Sequence, residues 1–306
     1  MAKAPGGQTK RSPAPRPSTK TNKTGHANAA RLRVEAEQRR RTRILTASLA
    51  SALVVVLIVV LIVVKLAGGN STTKVAAPPT SDAPTPSSVL TSLAAIPASQ
   101  LVQASQAVGN NVTAPSAITD AALTNGGKAE VLYIGAGFCP YCAAERWPLV
   151  TALLQFGTFT GLNDSHSSST DTNPNTPTFQ FHGATYSSPY LSFVAVETTT
   201  NQPQGNFYAP LDRPTAAQQA LIQKYNGGYI PFVDFGGRYI VKAPQYDGKI
   251  LAGLTVEQVA AQATNPTSTP GLAIEASAAH LVGVLCQLTG GKPATVCAPF
   301  PTATGA

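Results

Sequence analysis

Hydrophobic and polar positions fall into distinct regimes along this chain. The first is an unbroken apolar run, Ile44–Val64 (ILTASLASALVVVLIVVLIVV), which is 21 residues long and carries no charge. At about 1.5 Å per residue it spans roughly 30 Å, the thickness of a bilayer's hydrocarbon core. A cleaved export signal would have only about 7–15 apolar residues and then small residues at a cleavage site. Here Lys65 follows at once, so the pattern predicts one transmembrane helix over residues 44–65. Further on, VLTSLAAI and SQLVQASQAV carry helical spacing. Val131–Ile134 is a short apolar run broken by Gly135 and Gly137, a buried strand that feeds a helix-forming stretch. Asn163–Pro177 is polar and loop-like, TFQFH from Thr178 alternates like a half-buried strand, and YLSFVAVE from Tyr190 reads as a central one. Thr215–Tyr225 is a helix candidate opened by Pro214. PFVDFGGRYIV from Pro231 gives two strand-like runs joined at Gly236-Gly237, a hairpin. Thr255–Ala263 and Ala273–Leu288 complete the pattern as helices. The core order β, α, β, α, β, β, α places the domain in the α/β class.

Charge assigns a side of the membrane to each part. Met1–Arg43 holds 12 Lys or Arg against Glu35 and Glu37, an excess of ten over a whole-chain net charge of +8, which leaves the rest at −2. The basicity therefore belongs to residues 1–43 alone. That arm is rich in Pro, Lys, Ser and Thr, predicting a disordered segment. No aromatic residues are interleaved with its cations, which argues against nucleic acid as a partner and for topogenic contact with an anionic lipid bilayer. Arg39, Arg40, Arg41 and Arg43 against the single Lys65 put the N-terminus in the cytoplasm and everything after the helix outside. Residues 66–88, rich in Gly, Pro, Ser and Thr, read as a flexible tether. Residues 89–300 read as the extracytoplasmic domain and 301–306 as a tail.

The chemistry concentrates at Cys139-Pro140-Tyr141-Cys142. A strand that ends in glycines and feeds a helix opening on C-x-x-C puts a dithiol at a helix N-terminus, where free N–H groups and the macrodipole stabilise a thiolate. Pro140 suits the first turn, since its missing N–H would have had no partner there. Cys139, nearer the helix end, is the expected attacking thiolate, and Cys142 the thiol that resolves the mixed disulfide. Three other readings stand beside this one. A purely structural Cys139–Cys142 disulfide closes almost no loop and contributes little. A zinc site would need Cys286 and Cys297 as well, but their spacing does not match the usual ligand pairs. An inactive, degenerate site is disfavoured by the presence of both cysteines. Glu145, one turn past Cys142, is either a proton relay or a solvated carboxylate; Arg146 either favours the thiolate or lies on the surface; Trp147 reads as core. His26, His166, His182 and His280 follow no ligand or triad spacing, and no metal or other cofactor is expected. Cys286 and Cys297 lie beyond the membrane, where a disulfide closing about ten residues is worth on the order of 3 kcal/mol. The alternative for them is a second redox pair that passes electrons to the first.

The element order, with a dithiol opening the first core helix and Ile230-Pro231 before the hairpin, resembles the thioredoxin fold, a central mixed sheet flanked by helices. That resemblance implies a cis Pro231 against the dithiol, holding a client strand and keeping metal away, and Pro148 resembles the proline that kinks the thioredoxin helix. The 89 residues between Cys142 and Pro231 exceed a minimal thioredoxin, so Asn163–Pro189 reads as an insertion. More specifically, GFCPYCAAERW with ALLQFGTF, TFQF, YSSPYLSF, YIPFVDFGGRY and the C-terminal cysteine pair resembles the thioredoxin-like domain-of-unknown-function family 929, over roughly Leu90 to Cys297. Its members are membrane-anchored proteins of bacteria and archaea. In that family an acidic residue often precedes the Phe of the motif, where this chain has Gly137. Pro140 and Tyr141 resemble the glutaredoxin dipeptide, implying a more oxidising couple than thioredoxin. The expectation is a single-pass cell-membrane protein whose outer domain exchanges thiols and disulfides with exported proteins, recycled by a membrane redox partner. The competing expectation is a non-enzymatic tethered binding or assembly module with a structural disulfide.

Overall fold

A computed structural model describes residues 83–300. The predicted basic arm, the membrane span at 44–65, most of the tether and the tail at 301–306 lie outside the described residues. Packed chain begins before the expected boundary at Val89. Ala83 and Thr85 exchange backbone hydrogen bonds with Asp164 and Leu162, and Thr85 is buried.

Helices α1 (Ser87–Ala94) and α2 (Ala98–Val108) come first. The sheet then begins with the short strands β1 (Ser116–Ala117) and β2 (Thr124–Asn125) and the long β3 (Lys128–Gly135). Helix α3 (Pro140–Leu154) follows β3 directly. Four short strands come next: β4 (Thr158–Thr160), β5 (Asn163–His166), β6 (Pro177–Gln180) and β7 (Thr185–Ser187), with β4 paired to β7 and β5 to β6. Strand β8 (Leu191–Glu197) returns to the main sheet, a hairpin of β9 (Thr199–Gln204) and β10 (Phe207–Pro210) leaves it, and α4 (Ala216–Asn226) crosses over. The chain ends with β11 (Phe232–Phe235), β12 (Tyr239–Val241), α5 (Val256–Ala263), α6 (Thr269–Leu288) and α7 (Ala294–Cys297).

The main sheet has six strands in the order β1-β12-β11-β3-β2, with β8 on the other side of β3. β8 runs parallel to β3, from Ala129↔Leu191 to Gly135↔Glu197, and β11 runs antiparallel to it. This is a mixed sheet flanked by helices. β3 sits at its centre because both its faces are apolar. Val131 and Tyr133 join the larger core with Trp147, Leu149 and Leu281, while Leu132 and Ile134 join a second core with Ile222, Phe232 and Ile240. A strand covered on both faces reads as a continuous apolar run, and Val131–Ile134 is one.

Sequence pattern misplaced some elements. Asn163–Pro177, expected as loop, contains β5. TFQFH, expected as half-buried, supplies the residues of β6 from Thr178 on, all of them enclosed. The region expected as an insertion, Asn163–Pro189, thus supplies β5, β6 and β7 to two small antiparallel sheets, β4 coming from just before it, and it packs on α3: the Trp147 indole donates to the Pro177 carbonyl at 2.8 Å, and the Thr178 hydroxyl to the Ala143 carbonyl at 2.9 Å. The last long helix starts at Thr269 rather than Ala273, with Ser268 capping the Gly271 N–H. Among the described residues α6 is the one helix long and apolar enough to cross a membrane, but 67% of it is buried in the protein and it packs on α2 and α3 as a core helix.

Cys286 at the end of α6 and Cys297 in α7 are joined by a disulfide across 11 positions of sequence. It fastens the last turn of chain, with Phe300, to the main core. Replacing both cysteines by serine is expected to lower unfolding free energy by about 2–4 kcal/mol. Urea titration checks this, and an unchanged midpoint would show that packing alone holds α7.

Candidate functional site

The site forms where β3 stops. Gly135 leaves room there for the Tyr133 ring, which reaches forward along the strand over it: a Cβ on Gly135 would fall 2.1 Å from the Tyr133 hydroxyl. The chain then turns through Ala136, Gly137 and Phe138 into α3, whose N-cap is Cys139 itself. Its Sγ accepts the Cys142 backbone N–H at 3.3 Å, taking the place that a serine or aspartate oxygen holds at other helix starts. Pro140 occupies the first helical turn, as its chemistry requires.

Cys139 and Cys142 are both free thiols, 4% and 0% exposed. They share a small apolar cluster with Ala136, against which Phe138 and Ile230 pack. Of the residues expected outside α3, Ile230, in the segment before β11, is thus brought to the dithiol. Pro231 is buried and the Ile230–Pro231 bond is cis. Tyr141 points outward, 47% exposed.

The two sulfurs differ. The Cys139 thiol is held below its ordinary range by its hydrogen bond with the Cys142 side chain, helped by the Cys142 N–H, the Arg146 charge and the Tyr141 N–H, and opposed by burial. The Cys142 thiol is pushed well up, chiefly by burial and then by the hydrogen bond and like charge of Cys139. The charged form is thus favoured on Cys139 and disfavoured on Cys142.

Two neighbours differ from both surface readings of the sequence. Glu145, expected as a relay or a solvated carboxylate, is fully buried. Its Oε2 accepts the Gln245 N–H at 3.1 Å, on the chain after β12, and its Oε1 has no hydrogen-bond partner. The thiols are set by burial, by each other and by Arg146, not by Glu145. Arg146, for which the surface was one of two readings, is also fully buried: Nε and Nη2 form a fork with Glu197 at 3.0 and 2.7 Å, and Nη2 also donates to the Ala136 carbonyl at 2.9 Å. Trp147 is core, as expected. The reason is that α3 has no polar stripe. A helix apolar all round is enclosed, so the adjacent pair Glu145-Arg146 in PYCAAERWPLVTALL was itself the signal of buried charge.

Several site-forming residues escaped sequence reasoning. The β9–β10 hairpin approaches the turn before Cys139 so closely that Gly137 donates its N–H to the Thr199 carbonyl at 2.8 Å. Tyr208 stacks on Phe138 with ring centroids 4.4 Å apart, and its hydroxyl donates to Ser168 Oγ at 2.7 Å. Ser168 in turn donates its N–H to the Phe138 carbonyl at 2.8 Å. The hairpin and the β5–β6 connection therefore hold the CPYC turn from outside. A Cβ at position 137 would stand 2.9–3.0 Å from the Thr200 and Asn201 backbone, so an acidic side chain has no room here.

Residues 115–207 match the family described as Domain of unknown function (DUF929). The matched segment runs from just before β1 through the dithiol and β8 to the first residue of β10. It is narrower than the expected Leu90–Cys297 and leaves out Pro231 and the Cys286–Cys297 pair. No curated protein and no solved structure matches the chain.

Glu145 gives the domain a pH dependence of known sign. Burial raises its carboxyl from 4.5 to about 8, so the folded state keeps a proton that the unfolded chain gives up. The resulting stability is full below the unfolded value and is lost as pH rises through the folded one. Glu275, raised to about 7 by burial, adds a smaller slope of the same sign. Unfolding free energy is expected to fall between roughly pH 5 and pH 8, and Glu145→Gln to flatten most of that slope and to exceed the parent by about 1 kcal/mol or more at the alkaline end. Denaturant titrations across this range check it; an unaltered slope in Glu145→Gln would mean the carboxyl is not the buried proton holder.

Proposed function

We propose that this chain is a membrane-anchored, extracytoplasmic thiol–disulfide oxidoreductase with a thioredoxin-like domain, acting on exported proteins through Cys139 and Cys142. The observation that carries the reading is the inequality of the two thiols: Cys139 caps α3 with its thiolate favoured, and Cys142 sits behind it fully enclosed as a thiol. The mixed sheet, the dithiol at the first helix after β3 and Ile230 packed on both cysteines support the thioredoxin-like assignment. The run Ile44–Val64 and the basic arm before it support the anchor and its N-in orientation.

The reaction is a two-electron exchange. The Cys139 thiolate attacks one sulfur of a client disulfide, the client S–S bond breaks, and the departing sulfur leaves as a thiolate that takes a proton from water. Cys142 then gives up its proton and attacks Cys139 Sγ; the Cys139–Cys142 bond forms, the bond to the client breaks, and the client is left as a dithiol. Run in reverse, the same steps oxidise a client dithiol and reduce the protein. Exposed Tyr141 follows the attacking sulfur by two positions, and Pro231, next to the Ile230 that packs on the dithiol cluster, is the residue we assign to holding the client chain. Joining Cys286 to Cys297 leaves Cys139 and Cys142 as the pair available for exchange.

The test begins with the potential of the couple in glutathione buffers, followed by alkylation and by the fluorescence of Trp147, which is buried one turn below the dithiol. A potential between about −120 and −270 mV is expected, with Cys139 alkylated first and at a pH below an ordinary thiol. Cys142→Ser should accumulate mixed disulfides with exported proteins that reductant releases, and Cys139→Ser should not. A potential below about −300 mV together with no trapped client would replace the enzyme with a tethered module carrying a structural disulfide.

A further inference from the structure

Arg146 follows Cys142 by four positions, one turn of α3. Helical side chains lean toward the N-terminus over the preceding turn, so the guanidinium lies under Cys142 rather than beyond it. Its contacts fix it there. It donates to the Ala136 carbonyl, the same oxygen that accepts the Cys139 N–H at 3.3 Å, and it stands 5.6 Å from the centre of the Tyr133 ring. Ala136 belongs to the apolar cluster of the two cysteines. The cation therefore forms the floor of the dithiol site, wholly shielded from water.

Stability alone does not account for it. A buried ion pair seldom stabilises a fold more than apolar side chains of equal volume would, and this one leaves Arg146 Nη1 enclosed with no hydrogen-bond partner. Glu197 neutralises only the Nε and Nη2 edge of the guanidinium. The other ionisable groups packed around the cation are the Tyr133 hydroxyl from β3, itself without a partner, and the two cysteines. Each of the thiols is drawn toward its charged form by Arg146.

Resting on the redox reading above, we propose that Arg146 is a positioning residue for the resolving step, its buried charge stabilising the Cys142 thiolate as that sulfur displaces the client from Cys139. The step matters because Cys142 cannot use the devices that favour Cys139. It lies inside the helix rather than at its cap, and in the mixed disulfide Cys139 no longer holds a proton or a charge to share. Cys142 must release its proton to water within an apolar enclosure before the Cys142–Cys139 bond forms and the Cys139–client bond breaks. A fixed cation at its base lowers the cost of that charge without moving anything.

The test uses the full chain with Cys139 loaded as a glutathione mixed disulfide, and single-turnover release of glutathione as the readout across pH. Removing the pair whole, as Arg146→Met with Glu197→Gln, avoids stranding a buried carboxylate. The variant is expected to resolve at least about tenfold more slowly near neutral pH, to recover as pH rises, and to show a midpoint about one unit or more higher. Glu197→Gln alone keeps the cation and removes its counter-charge, and should move the midpoint the other way. A folded double variant with parent rate and midpoint, or a Glu197→Gln midpoint that does not fall, overturns the role of the charge. A parent protein that never releases glutathione would instead overturn the exchange reaction itself, and the role of Arg146 with it.

Discussion

Helix α3 is closed off from water along almost its whole length, and the rest of the domain is arranged to make that tolerable. Most of the polar groups it carries find a partner inside, Glu145 Oε1 and Arg146 Nη1 being exceptions. The Trp147 indole reaches Pro177, Arg146 reaches Glu197 and Ala136, Glu145 reaches Gln245, and the Ala143 and Ala144 carbonyls accept from Thr178 and Tyr246. These partners come from β6, the end of β8 and the chain after β12, so satisfying one helix recruits segments from most of the domain. Leaving a buried polar group unpaired costs about 1–3 kcal/mol. The small β4–β7 sheets are explained by this demand: they supply the wall that a two-layer arrangement would leave open on that side.

Enclosure also decides the chemistry. At a water-exposed helix start, two cysteines three positions apart would titrate much alike and be screened by solvent. Here burial acts on both, but Cys139 has the hydrogen bond of the Cys142 thiol, and after it the N-cap hydrogen bond, to offset it. Desolvation and the hydrogen bond between the thiols thus produce the difference, and the cap adds to it in the same direction. Low dielectric also magnifies the effect of a charge such as Arg146 on its neighbours.

The four central strands of the main sheet, most helices and the dithiol were legible in the sequence because each rests on local signals, whereas the two-residue strands β1 and β2 carry none. β3 is a continuous apolar run stopped by glycine, β11 and β12 are joined by Gly236-Gly237, and α4 and α5 begin at capping threonines, Thr215 and Thr255. The β9–β10 hairpin was illegible for the opposite reason. TTNQPQGNFYAP has almost no apolar alternation, and its position is set by two distant contacts, the Thr199 carbonyl on Gly137 and the Tyr208 ring on Phe138. Strand β5, Asn-Asp-Ser-His, likewise owes its conformation to its pairing with β6. Glu145 and Arg146 were read as individual charges, whereas their fate was fixed by the apolar surroundings of the helix as a whole.

Gly137 shows how these constraints meet at the site. A side chain there and a close β9 strand exclude each other, since the missing Cβ is what lets the Thr199–Asn201 backbone come within hydrogen-bonding distance of the turn. A chain with an acid at this position would set a negative charge beside Cys139 and would have to hold its hairpin further out. This chain instead locks the turn by a backbone hydrogen bond and an aromatic stack. The strongest fixed charge acting on its thiols is then a cation placed beneath them. A negative neighbour raises the cost of a thiolate and a positive one lowers it. On the proposed exchange chemistry, replacing one by the other shifts the couple toward the reduced dithiol, and so toward the oxidation of clients.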